Sequence, residues 1–257
     1  MRRILCLIAI LLPCACSVKE NRSGCPCDLL IRPTEKLETE GSVVVSIVQE
    51  GTVVKQEMLS REEFEAGSCV IKVNRNPTTV TVFSGITSMN LVQGRKLDIK
   101  AEHQCDEIFS CSTSADLDKE KMEYTVSLHK NFARLFLTVL NLREGMDLRA
   151  SGKVGGYDLL DAAPYTGPFK CLPDGYDDSK AWCIRLPRQL DDDLSLDVIV
   201  DGETVRSIAL GTLISATGYS FKDEDLMDIS MTVDLEKSYA LFGVEGWEPV
   251  TFPLIEY

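Results

Sequence analysis

Apolar and β-branched positions gather along this 257-residue chain in short runs rich in Val, Ile and Thr, separated by Gly, Pro, Asn and Asp. Short runs of this composition are the pattern of β-strands, and the Gly and Pro clusters mark the turns between them. In the first half it predicts strands over 29–32, 41–49, 52–57, 68–73, 78–84 and 95–100, punctuated by Gly51, by Asn74 to Pro77 and by Gly94. One segment reads as a helix, Ser60 to Gly67: Ser60 can cap the first turn, Glu63 stands three residues on, and Gly67 can end it.

In the middle of the chain, residues 122–142 alternate at Tyr124, Val126 and Leu128. They then resume one position out of step at Ala133, Leu135, Leu137 and Val139. A break of one residue predicts a bulge or tight turn near Lys130-Asn131, because the side-chain period of a strand is two. Gly145 to Gly156 reads as loop. Further strands are predicted over 182–186, 194–200, 204–210, 229–235 and 241–247, with Asp201-Gly202 as a hairpin turn. Many short strands and few helices predict an all-β chain of β-sandwiches, and the length predicts two. The polar, patternless run "STSADLDKEK" places their boundary near 112–123, giving an amino-terminal sandwich over 28–120 and a carboxyl-terminal one over 121–257.

The first residues break this pattern. Arg2 and Arg3 precede an apolar run from Ile4 to Leu12, shorter than the roughly 20 residues a membrane-crossing helix needs. That is the layout of an export signal removed at maturation. Ala15-Cys16 resembles the cleavage site of a bacterial lipoprotein box, in which the cysteine thiol takes a diacylglycerol group. Pro13 directly before Cys14 disfavours cutting there, so Cys16 is the expected lipidation residue, 1–15 the signal and 16–27 a tether. Ser17-Val18-Lys19-Glu20 is similar to the charged signal that sends Bacteroidales lipoproteins to the outer face of the outer membrane.

Loss of the signal removes two arginines and no acid, moving the formal charge from −13 to −15. So acidic a body disfavours nucleic acid and anionic membrane surfaces as partners. Seven cysteines remain besides Cys16: Cys25, Cys27, Cys69, Cys105, Cys111, Cys171 and Cys183. In an exported chain the expected local disulfides are Cys105 with Cys111 and Cys171 with Cys183, each closing a short loop. Cys25 and Cys27 are too close to bridge each other, which leaves one of them to reach Cys69 or both reduced.

Catalytic constellations are scarce. His103 and His129 are the two histidines and neither stands in a metal-ligand spacing; His129 reads as a solvated turn residue. No G-x-S-x-G elbow occurs, and the glycines of "GKVGGY" do not form a phosphate loop. "LDDDLSLD", 190–197, lacks the spacing and glycine of a calcium loop and reads as a solvated turn. The chain is expected to be no enzyme, with no cofactor and no small-molecule substrate.

Five segments taken in order carry a resemblance: "HQCDEIF" at 103–109, "VSLHKNFARLFLTV" at 126–139, "LPRQLDDDLSLDV" at 186–198, "RSIALGTLISATGYSFKDEDLMDISMTVDLE" at 206–236 and "FGVEGW" at 242–247. Together they resemble the FimB-type fimbrial anchor lipoproteins of Bacteroidales. Phe221 stands where that family often has Trp, and the surplus cysteines depart from its pattern. The resemblance implies two transthyretin-like β-sandwich domains in tandem and no enzymatic activity. It also implies a place at the base of a type V pilus, which the protein anchors to the cell outer membrane and whose length it limits. Its partners would be pilin subunits, joined by addition of an extended segment to an open sheet. The tail "EPVTFPLIEY" suits such a segment. Val250, Phe252 and Leu254 share one face if extended, and Pro249 and Pro253 remove their N–H groups from one edge only. The tail is expected either to close its own domain or to engage a pilin. A pilus stalk or tip subunit, matured after a basic residue such as Arg32, is the nearest alternative, and a carbohydrate-binding surface lipoprotein the next. The latter would need an exposed aromatic platform, whereas Trp182 and Trp247 both sit in strand patterns that bury them.

Overall fold

A computed structural model of the protein describes residues 23–177, 181–244 and 249–254; Cys16 and Trp247 lie outside them. The chain first forms β1 (Pro26–Pro33), β2 (Ser42–Gln49), β3 (Thr52–Ser60), helix α1 (Arg61–Glu65), β4 (Val70–Asn74), β5 (Thr78–Ile86), β6 (Asn90–Gln93), β7 (Lys96–Ile99), β8 (Phe109–Ala115), β9 (Lys121–Val126) and the two-residue β10 (His129–Lys130). There follow β11 (Phe132–Leu140), β12 (Met146–Asp158), β13 (Pro164–Cys171), β14 (Asp174–Asp177), β15 (Ala181–Pro187), β16 (Ser195–Val200), β17 (Glu203–Ile208), helix α2 (Leu210–Ala216), β18 (Ile229–Asp234), β19 (Tyr239–Val244) and β20 (Val250–Pro253).

The strands make four sheets around two apolar cores. Sheets ordered β4-β1-β9 and β10-β8-β5-β2-β3 enclose Leu29, Ile31, Val45, Ile47, Ile71 and Val82. Sheets ordered β14-β15-β11-β18-β19-β20 and β17-β16-β12-β7-β6, with β13 on the other side of β12, enclose the larger core around Leu135, Leu137, Leu196, Ile229 and Met231. The all-β, layered expectation holds.

Local chemistry explains several elements. Ser60 accepts the Glu63 N–H at 3.2 Å and Glu63 accepts the Ser60 N–H at 2.8 Å, the reciprocal cap anticipated for α1. Asp201 and Gly202 both have positive φ, 51° and 84°, and turn β16 into β17 as a two-residue hairpin.

Three expectations are corrected. Gly145 to Gly156 is not loop: it lies largely within the 13-residue strand β12, whose glycines admit close neighbours. Gly156 has φ +151°, and a Cβ there would fall 2.0 Å from the Leu97 carbonyl oxygen of β7. Helix α2 was not predicted, because "LGTLISA" is apolar on most sides and its preceding Ala209 offers no side-chain cap. The chain also changes sandwich later than residue 120. Both β8 and β9 belong to the smaller unit, and the crossing comes at Asn131, where the strand pattern loses step. Nor are the two units strictly consecutive, for the β6–β7 hairpin is built into the larger one through the β7 to β12 pairing.

Candidate functional site

A β-rich chain offers unpaired backbone groups at its sheet edges and clustered polar side chains at the joint between its units. The tail strand β20 pairs antiparallel with β19, Val250 opposite Phe242 and Phe252 opposite Ala240. Leu254 donates its N–H to the Ser238 oxygen at 3.0 Å. Backbone groups alternate along a strand, so the N–H groups of Val250 and Phe252 point the same way, toward β19. The free edge is left with Pro249, Thr251 and Pro253, of which only Thr251 has an N–H. The tail therefore closes its own domain, and the edge it turns outward is the blunted one. Phe252 and Leu254 pack against the larger core, while Val250 is exposed.

All seven described cysteines are free thiols, and the expected pairs do not form. Cys105 is buried in the larger core whereas Cys111, on β8, packs against the smaller. Cys171 is buried in the larger core from β13. Cys183 lies on β15 opposite Phe136, on the face alternate to the buried Ile184. Cys69 does not meet Cys27 either. Cys27 faces Val73 while Cys69 lies beside Ile31, about 13 Å farther along β1 at the ordinary strand rise. Burial raises the thiols: Cys69 and Cys111 to about 11 and Cys171 to about 12, with Cys105 higher still.

Polar residues from the quoted segments converge at the joint. Arg188, which follows β15, donates to the Asn131 side-chain oxygen at 2.6 Å and to the carbonyls of Phe221, Asp223 and Glu224 at 2.7, 2.5 and 2.9 Å. The buried Tyr157 hydroxyl donates to the Asn131 carbonyl at 2.6 Å. Asn131 in turn donates to Ser110 of β8 at 2.6 Å, so the crossing residue is held from both units. Gln104 is nearly buried; it accepts the Arg185 N–H at 2.8 Å and donates to the Leu172 carbonyl at 3.2 Å. Asp106, also buried, accepts the N–H groups of Thr87 and Asn90 at 2.8 and 3.2 Å. Arg134 grips both Glu107 carboxylate oxygens at 2.8 and 2.7 Å. Lys130 reaches Asp228 at 2.6 Å. His129 is half-buried between Asp225 and Glu224, 3.2 Å from each, rather than in a solvated turn. Phe221, the position noted for its departure from Trp, is buried and packs edge-on against Tyr219 with centroids 5.0 Å apart.

Among the described residues no group of three or more His, Cys, Asp or Glu side chains is placed to hold a metal ion. The "LDDDLSLD" acids are engaged locally, Asp192 accepting from Ser215 and Asp197 accepting from Ser207 at 2.7 Å. Trp182 is half-buried against the larger core.

The layered all-β architecture with two cores defines the class to which the chain is compared. No family model and no curated protein matches the chain. Among solved structures, the fimbrial anchor protein Mfa2 from Porphyromonas gingivalis superimposes with a TM-score of 0.63 at 12% identity, over 90% of this chain and 99% of that one. A candidate polysaccharide-binding protein from Bacteroides thetaiotaomicron gives 0.62 at 13% identity, over 88% and 98%. A candidate adhesin from Bacteroides ovatus gives 0.61 at 12%, over 88% and 95%. The chain shares its fold, over nearly its whole length, with fimbrial and adhesin-type proteins of Bacteroidales.

Proposed function

We propose that the protein is a lipid-anchored, non-enzymatic fimbrial subunit that fastens a fimbria to the outer membrane. The observation that carries this reading is the position of β1. Nine residues lie between the lipidation candidate Cys16 and Pro26, where β1 begins. β1 lies between two neighbours, antiparallel to β4 and parallel to β9. Tension applied through a lipidated tether would load β1 in shear, with ladder hydrogen bonds on both sides resisting together. A strand at a sheet edge would have half that support. The lipid itself would hold the chain in the membrane, at about 0.8 kcal/mol for each buried methylene. The acidic body, kept from the anionic surface by its charge, would stand off on the tether.

The fold shared with an anchor protein supports the same reading. The half-buried Trp182 gives no support to a carbohydrate platform. The test is the Cys16→Ala chain in the native host: it should leave the outer-membrane fraction, and fimbriae should be shed into the medium. Fimbriae that stay attached to cells carrying this variant would reject the anchor role.

A further inference from the structure

The tail closes its own sheet, so the edge that receives a partner must be sought elsewhere. Among the described strands, β20 and β13 are blunted by proline, at 249 and 253 and at 164 and 168. β6 and β14 have four residues each, β4 five, and β10 two. The Tyr124 hydroxyl, from β9, already donates to the Ser114 carbonyl of β8 at 2.8 Å. β17 is interrupted by a bulge at Val205, between Thr204 and Arg206. Among the described edge strands the longest free of proline is β3: nine residues paired on one side with β2. Its own bulge at Val54 leaves Lys55 to Ser60 unbroken.

A second feature meets the first at this edge. A cleft of about 490 Å³ opens beside the start of β3, lined by Val53, Val54, Gln56 and Leu160, and its charged lining groups are Lys55 and Arg95. Acids outnumber bases by 13 in the chain, yet no carboxylate lines this cleft; Arg95 has one partner outside the lining, Asp158 at 3.4 Å, and its side chain remains 62% exposed. Unpaired backbone groups recognise another extended backbone, and the pocket beside them selects a side chain. Here that selection favours a carboxylate, drawn by two cations beside apolar walls.

We propose that β3 is the edge to which an extended segment of another fimbrial subunit adds, pairing along Lys55 to Ser60 and directing an acidic side chain toward Lys55 and Arg95. This rests on the reading of the chain as a fimbrial subunit. The test places the photo-crosslinking residue p-benzoylphenylalanine at position 58 of the full chain in its native host, in place of Met58, which is 56% exposed. Matched chains carry it at position 205 on β17 and at position 251 on β20. An adduct with a fimbrial subunit at 58, absent at 205 and 251 and lost in the Lys55→Glu, Arg95→Glu double variant, is the expected result. Thermal melting of that variant checks that it is folded. Fimbrial subunits that co-purify but crosslink at 205, at 251 or nowhere would overturn the β3 assignment and leave the subunit reading intact. An adduct with a second copy of this chain at 58 would also overturn it. Absence of any co-purifying fimbrial subunit would overturn the reading on which it rests.

Discussion

The Tyr157 hydroxyl lies 2.6 Å from the Asn131 main-chain oxygen, so a strand of the larger sandwich holds the residue at which the chain leaves the smaller one. The Arg188 N–H reaches both atoms, at 3.0 Å to the Asn131 oxygen and 3.2 Å to the Tyr157 hydroxyl. Because the carbonyl keeps that second donor, Tyr157→Phe should cost about 1 kcal/mol, near the low end for a buried hydrogen bond. Arg188→Ala should cost far more, about 3 to 5 kcal/mol. It removes the common partner of the Asn131 side chain and four carbonyls, those of Lys130, Phe221, Asp223 and Glu224, and Arg188→Lys should recover only part, since an ammonium lacks the guanidinium's fork. Urea unfolding of the three variants against wild type measures the ranking. Equal losses for the two Arg188 variants and Tyr157→Phe would remove Arg188 from its central position.

Gly156 makes a sharper prediction. With φ at +151° and the Leu97 oxygen 2.0 Å from any added Cβ, Gly156→Ala must push β7 away from β12. The cost should be about 3 kcal/mol or more, whereas Gly202→Ala, at a turn with open space around it, should cost about 1 kcal/mol. Hydrogen exchange should show lost protection on β6 and β7 in the first variant alone. Unchanged exchange there would contradict the exchanged hairpin.

The thiols should separate by reactivity. Cys25 is exposed and should alkylate in the native protein, while Cys105 and Cys171 should react only on unfolding. The sign for stability follows from burial. Cys69, Cys111 and Cys171 sit at about 11, 11 and 12 when folded, against an ordinary value of 9.0. Their contribution is whole below pH 9 and is lost as pH rises from 9 toward 12. Alkaline melts of wild type and of a Cys171→Ala chain should converge above pH 9; parallel curves would contradict it.

At the acid end, Asp234 should act in the opposite direction. Its carboxyl is held below the ordinary 3.8, first by the Lys237 N–H at 3.0 Å and then by the Asn141 side chain at 2.8 Å. A depressed carboxyl contributes stability above the unfolded value and loses it as pH falls below 3.8. Asp234→Ala should therefore be destabilised at pH 6, and the gap to wild type should narrow as pH falls below 3.8. A gap that stays constant would mean that the ionised carboxylate plays no part in the β18–β19 turn.

Much of the fold was legible because it is local. Short runs rich in Val, Ile and Thr located β2, β5 and β16, alternation located β11, the Ser60 and Glu63 pair located α1, and Asp201-Gly202 located a hairpin. What was hidden depends on partners far along the chain. Gly152, Gly155 and Gly156 resemble loop residues until β7 and β13 are seen pressed against them, and nothing near Asn90 to Ile99 reveals that its hairpin joins the other sandwich. The disulfide expectation failed for a related reason. Six positions separate Cys105 from Cys111, yet they face different cores. For the tail, proline parity identified the usable edge, but only the pairing with β19 shows that the protein uses it itself. The joint was half legible. The ordered segments that carry the resemblance contain Gln104, Asp106, Asn131, Arg134 and Arg188, but their convergence needed the structure.

The central claim is that a lipid at Cys16 ties a fimbrial subunit to the membrane. The most direct measurement is mass spectrometry of the chain and its companions taken from the outer membrane of the native host. The account predicts an amino terminus beginning at a diacylated Cys16, with fimbrial subunits co-purifying. An unlipidated chain, or a lipidated one accompanied only by glycan-uptake proteins, would contradict it.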